Sequence, residues 1–219
     1  DWRKENPTLS YTEFQVRLDK MSVSGALMDI VKLGDISKNI IGAMSADELY
    51  ENTLKWAKVY DTDFAQRLES QKDYSLKVLA IERGGDNPRK DFAMYSEIKD
   101  GISYMYDDLY NIDSAKNALS TVLTPEKVSE ILNAFSTHDI KATHKDEWFA
   151  EMKSIATELG YAPDGKTFKA NPDQYKGSIA DVAMVLRIAL TERTKAPDMY
   201  AVMNVFGVEQ SKMRFKNLA

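Results

Sequence analysis

From Asp29 onward the apolar positions recur with helical period, and helix signals follow one another to the C-terminus. Ser45-Ala46-Asp47-Glu48 has the form of a capping box, with Leu49, Thr53, Trp56, Ala57 and Tyr60 on the stripe behind it. Asp61 is placed to cap a second helix, and Tyr74, Val78 and Ile81 mark a third before the break Arg83-Gly84-Gly85-Asp86-Asn87-Pro88. Ile98, Ile102, Met105, Tyr106 and Leu109 predict one amphipathic helix over 95–110. Thr124-Pro125-Glu126 starts another helix, and Trp148, Met152, Ile155 and Leu159 line the next, which stops at Gly160. A polar insert over 162–177 precedes an apolar helix from Ser178 to about Thr191. Ala196-Pro197-Asp198 then opens a helix that Gly207 ends.

The first 25 residues are non-periodic and carry the breakers Asn6-Pro7 and Ser24-Gly25. Strand-period alternation is almost absent and no fixed-period repeat is present, so the predicted class is all-α. The expected organisation is two consecutive helical bundles, 45–122 and 123–219, behind a connector remnant at 1–44.

Composition removes whole classes of chemistry. With no cysteine among 219 residues there is no disulfide scaffold, thiol nucleophile or Cys-type zinc site. His138 and His144 are six apart, the wrong spacing for one helical face, and no metal is expected. The longest uncharged run, Met199–Val208, is far short of the roughly 18 apolar residues of a membrane span. Nothing in residues 1–10 reads as a signal peptide, and position 1 is not Met, which suggests a piece of a longer soluble intracellular protein.

The net charge of −5 is unevenly spread. Residues 101–150 hold four lysines against eight carboxylates, whereas 166–219 hold nine cations against five carboxylates. An anionic partner is therefore expected at the C-terminal quarter.

No catalytic constellation emerges. Asp107-Asp108 and Asp146-Glu147 are neighbours in sequence, so on a helix they diverge by about 100°. There is no G-x-S-x-G elbow, P-loop or EF-hand loop. Lys20-Met21-Ser22-Val23-Ser24 resembles the KMSKS loop of class I aminoacyl-tRNA synthetases. Val23 replaces its second lysine, however, and no nucleotide-binding βαβ unit precedes it, so a connector turn is expected.

The C-terminal quarter is richer. Arg187 interrupts the otherwise apolar run Val182–Leu190. It would either complement a helix dipole or offer a planar donor fork to an unpaired base. Arg193 and Lys195 follow in a loop, and the backbone donors of the helix opened by Pro197 are candidates to meet a phosphate or base. Lys166, Phe168, Lys169, Tyr175 and Lys176 interleave cations with aromatics, as single-strand-binding surfaces do.

Here the residues resemble a known family. Leu186-Arg187-Ile188-Ala189-Leu190-Thr191, Ala196-Pro197-Asp198-Met199-Tyr200 and Val205-Phe206-Gly207-Val208-Glu209 are similar to the C-terminal "LR-x-AL-T-G-R-x-x-SPDL" and "LG-x-E" of bacterial glutamyl-tRNA synthetases. Upstream, Ser24-Gly25-Ala26-Leu27-Met28-Asp29 with Lys32-Leu33 resembles the family's "SGALFD-x-x-KL" connector. The resemblance implies the α-helical anticodon-binding region of a cytoplasmic enzyme that joins glutamate to tRNA(Glu). It further implies that ATP, Mg and catalysis belong to a missing N-terminal catalytic domain of the same polypeptide. No catalytic residue and no cofactor are then expected in this chain, and the expected partner is the anticodon arm of tRNA(Glu). The family's anticodon-reading arginine maps to Arg187 and its base-contacting loop positions to Ala196, Pro197 and Met199. Arg193 and Lys195 join them as phosphate contacts on charge. Met28 departs from the family's Phe, and Glu192 stands where the family turns its loop with Gly. The competing readings are an α-helical protein–protein module and the corresponding region of a related class I synthetase.

Overall fold

The computed structural model of the chain describes residues 2–21, 28–140 and 143–219. The Ser24–Leu27 part of the connector resemblance, and Ser22 to Ser24 of the Lys20 run, lie outside the described residues. The fold is all-α. A short α1 (Trp2–Glu5) leads through two 3₁₀ turns to α2 (Ile30–Ala43), α3 (Ala46–Tyr60), α4 (Thr62–Ser70) and α5 (Lys72–Leu79). After a loop come α6 (Ile98–Ile102), α7 (Ile112–Ser120), α8 (Pro125–Thr137) and α9 (Lys145–Glu158). The chain closes with α10 (Gly165–Ala170), α11 (Ile179–Thr191), α12 (Met199–Phe206) and α13 (Val208–Leu218). Among the described residues the only β-type pairing is a single bridge between Ala162 and Ser178.

The helix starts follow local chemistry. The capping box at Ser45 is formed in both directions, Ser45 Oγ accepting from the Glu48 amide and Glu48 Oε2 accepting from the Ser45 amide. Asp61 caps α4 through the Phe64 amide at 3.0 Å, and Pro125 occupies the first turn of α8. Gly160 turns the chain after α9 at φ +87°, in the left-handed region where glycine is unstrained.

Residues 95–110 do not form the single helix that their spacing predicts. They fold as a 3₁₀ turn at Tyr95–Glu97, the five-residue α6, and a second 3₁₀ turn at Ser103–Met105, after which Tyr106 is extended. Tyr104, Met105 and Tyr106 are all buried, and three successive residues cannot share one face of a straight helix. Gly101 lies so close to Phe92 that a methyl group there would collide with the ring.

Two buried clusters result. One gathers Leu49, Tyr50, Phe64, Leu68, Val78 and Ile98 with their neighbours, and the other runs from Ala115 on α7 through Ile131, Trp148 and Leu186 to Phe215. Thus α7, although it precedes residue 122, packs with the later helices. Helix α12 serves both clusters, with Met199 and Met203 in the second and Val202 in the first.

Arg214 of α13 joins them. Its Nη1 donates to the carbonyls of Tyr104 (2.5 Å) and Leu190 (2.8 Å), and its Nη2 pairs with Asp107 at 2.9 Å. The guanidinium is sandwiched between the rings of Tyr110 and Phe206, 4.1 and 3.8 Å from their centroids.

Helix α2 has two distinct faces. Ser37, Lys38 and Ile41 face the rest of the molecule, with the Ser37 hydroxyl donating to the Ala93 carbonyl. Arg83 secures the end of α2 by donating to the carbonyls of Ile41 and Met44. Leu33, Ile36 and Ile40 form an apolar stripe on the other face, and it is exposed. Twelve of the eighteen large apolar side chains left exposed among the described residues fall in 9–40, so the uncovered apolar surface is concentrated at one end of the chain.

Candidate nucleic-acid interface

The six predicted contact residues divide between two cavities. Arg187 and Met199 line a groove of about 580 Å³ between α9, α11 and the start of α12, together with Trp148, Phe149, Lys153 and Tyr200. Arg193, Lys195, Ala196 and Pro197 line a second cleft of about 540 Å³, formed with Lys38, Arg89 and residues of the α5–α6 region.

Arg187 is the distinctive group of the first groove. It lies on the partly open side of α11, a helix otherwise packed into the core by Val182, Val185, Leu186 and Ile188. Its Nε is buried and has no hydrogen-bond partner. A buried donor without a partner is unfavourable, by about 1–3 kcal/mol in mutational series; the Nε of Arg214 and the hydroxyl of Tyr161 share that state, and Arg187 differs from Arg214 in lining this groove. Met199 is mostly buried and forms part of the floor.

Two of the amides at the start of α12 are already engaged within the chain. Asp198 caps the helix through the Ala201 amide at 3.1 Å, and Glu82 Oε2 accepts the Asp198 amide at 3.2 Å. Lys145 pairs with the Asp198 carboxylate at 2.8 Å. The chain's own carboxylates thus share this helix start, where negative charge is favoured.

In the second cleft the loop is held from below. Arg89 donates to the Ala196 carbonyl at 3.1 Å while its other nitrogens engage Asp91. Arg193 donates to the Asp100 carbonyl and lies over the Tyr104 ring at 5.6 Å. Lys195 is exposed at the cleft edge, the freest cation of the set to meet a phosphate. The run Lys166, Phe168, Lys169, Tyr175 and Lys176 contributes to neither cavity, and Lys176 pairs with Glu130.

Glu192 makes the turn after α11 with φ +62°, the left-handed conformation that glycine adopts without strain. Its Oε1 accepts the Asn111 amide at 2.8 Å, tying the loop to the start of α7. Burial pushes its carboxyl above the ordinary range, opposed by the Asn111 amide, Arg193 and Arg214. Because the folded-state value is raised, the stability it contributes is present at low pH and lost as pH rises through that value. Glu192→Gln keeps an acceptor for Asn111 without the charge. The wild type is therefore expected to match this variant in acid and to lose stability relative to it as pH rises, in urea unfolding at a series of pH values. A wild type that gains on the variant with rising pH contradicts this reading.

Phe149, Lys153 and Tyr200 were not predicted as site residues. The spacing of Lys145, Phe149 and Lys153, four apart on α9, is the signal that points to them. Among the described residues no three His, Asp or Glu side chains gather as a metal site, and no helix is long and apolar enough to cross a membrane.

No family model matches the chain. Individual relatives do. A glutamate–tRNA ligase of Clostridium beijerinckii is 42% identical over 98% of this chain and 39% of its own length. The ligase of Clostridium perfringens strain SM101 is 41% identical over 99% of the chain, and that of Acetivibrio thermocellus 38% over 100%. Each match spans 39% of the relative, about two fifths of its length. Over nearly all of its length, then, the chain belongs with the glutamate–tRNA ligases, as the counterpart of about two fifths of such an enzyme.

Proposed function

We propose that the chain is the C-terminal, anticodon-binding region of a cytoplasmic glutamate–tRNA ligase and that it holds the anticodon arm of tRNA(Glu). It has no chemistry of its own in this reading. ATP, Mg and the joining of glutamate to tRNA belong to the part of the polypeptide that the chain does not span. The observation that carries the reading is Arg187, with its unpartnered Nε at an apolar-lined groove, in a chain related end to end to tRNA ligases. Arg187 and Met199 meet a base in the first groove. Ala196 and Pro197 shape the loop beside it, and Lys195 and Arg193 draw the neighbouring phosphates.

The exposed stripe Leu33, Ile36 and Ile40, with the other open apolar side chains over 9–40, fits a surface covered by the remainder of the ligase. This observation serves the protein–protein reading as well, but confines it to one end of the chain.

Capture of total tRNA on the immobilised chain, followed by sequencing of the bound species, tests partner class and identity together. Enrichment of tRNA(Glu), with binding that falls steeply as salt rises, is the expected result. No retention of RNA even at low salt contradicts the proposal and favours a protein partner.

A further inference from the structure

We propose that Phe149 is the stacking surface for an unpaired nucleobase whose edge is met by Arg187, in the groove between α9, α11 and α12. This rests on the RNA-binding reading above and adds to it a residue and a mode of contact.

Among the described residues from 123 to 219, Phe149 (49%) and Met213 are the only large apolar side chains left exposed. Its neighbour Trp148 is buried in the second core. An isolated open aromatic needs no explanation by itself. Phe149, however, lines the same groove as Arg187, whose buried Nε lacks a partner. The third aromatic of the groove, Tyr200, has its hydroxyl committed to the Thr143 carbonyl. Phe149 thus provides an accessible ring in the same groove as a guanidinium with an unpartnered nitrogen, the two elements that single-stranded RNA recognition combines.

Charge along α9 supports an RNA strand. Lys145, Phe149 and Lys153 line the groove at successive steps of four residues, so one cation lies a turn to either side of the ring, about 6 Å away along the axis. Lys145 is anchored by Asp198 at 2.8 Å, and Asp146 stands at the rim, leaving three cations against two carboxylates in the groove. Cations flanking an aromatic platform follow a nucleic-acid backbone while a base stacks between them. A groove of about 580 Å³ is of the size of small-ligand sites.

The test uses a fluorescent anticodon stem-loop of tRNA(Glu), titrated at low salt with the whole chain. Phe149→Ala is expected to weaken binding by about five- to a hundredfold, the range of one lost base stack. Phe149→Trp should restore binding, whereas Phe149→Leu, which keeps apolar bulk without the ring, should not. Unfolding midpoints of all three should match the wild type, since the side chain is half exposed. Anticodon bases are then removed one at a time. At one position the abasic RNA should bind the wild type as weakly as the intact RNA binds Phe149→Ala, and the variant should lose nothing more. A Phe149→Ala protein that binds the intact stem-loop like the wild type overturns the stacking role while leaving the RNA-binding reading in place. So does an equal loss by the variant on every abasic RNA. Failure of the wild type to bind any stem-loop overturns both.

Discussion

Arg214→Ala is expected to lower the unfolding free energy by about 3–5 kcal/mol, the largest effect of any single substitution considered for this chain. The guanidinium is buried, with 6% of the residue exposed, and it serves the two cores at once. Its removal leaves the carbonyls of Tyr104 and Leu190 without these donors, and each orphaned buried acceptor is unfavourable by about 1–3 kcal/mol. It also opens the space between Tyr110 and Phe206. The Asp107 carboxylate contributes little to the total because it is more than half exposed and water can replace its partner. Arg214→Met keeps apolar bulk between the rings but supplies no donor, so it should recover only the packing share. Urea unfolding of the three proteins separates these contributions. An alanine variant within about 0.5 kcal/mol of the wild type would mean that Arg214 does not join the cores.

The second large effect is on recognition. Arg187→Ala is expected to weaken binding of the cognate anticodon stem-loop by about 1–3 kcal/mol and to relax selectivity at one base. A phosphate contact acts through charge, so its loss weakens all RNA sequences alike and lessens the salt dependence. Arg187 instead presents a planar fork on a helix that is locked into the core on its other faces, which fixes the fork's direction. Its fold penalty should be small, because in the unbound chain the guanidinium Nε has no partner to lose. Lys195→Ala supplies the contrast: a modest and uniform weakening that high salt removes.

How much of this was legible in the sequence depends on whether the information was local. Caps and periodicity located α3, α4, α8, α9 and α11, because Ser45, Asp61, Pro125 and Gly160 act on the backbone within a few residues, although the Thr124 hydroxyl makes no capping bond. Residues 95–110 carry helical spacing too, yet Tyr104 to Tyr106 are all drawn into the core and Gly101 abuts Phe92, contacts no local pattern encodes. Arg214 was visible only as an arginine in the last helix, since its partners at Tyr104, Asp107 and Leu190 are far off in sequence. In the candidate site, Arg187 stood out as the single charge in an apolar run, and the structure gives it the unpartnered Nε. The loop residues from 193 to 197 are continuous with it in sequence but line a different cavity, because the turn at Glu192 redirects the chain. Phe149 was hidden among ordinary core-type aromatics. Only its place in the same groove as Arg187, on another helix, distinguishes it.

The central claim, that this chain reads unpaired bases of an anticodon arm through Arg187, is tested most directly by one titration. Wild type and Arg187→Ala are each bound to the tRNA(Glu) anticodon stem-loop and to variants with one anticodon base changed at a time. The wild type should prefer the cognate sequence, and Arg187→Ala should bind it about 5- to 150-fold more weakly. The preference should be lost at one position and kept at the others. Equal binding of wild type and Arg187→Ala across all the stem-loops would contradict it.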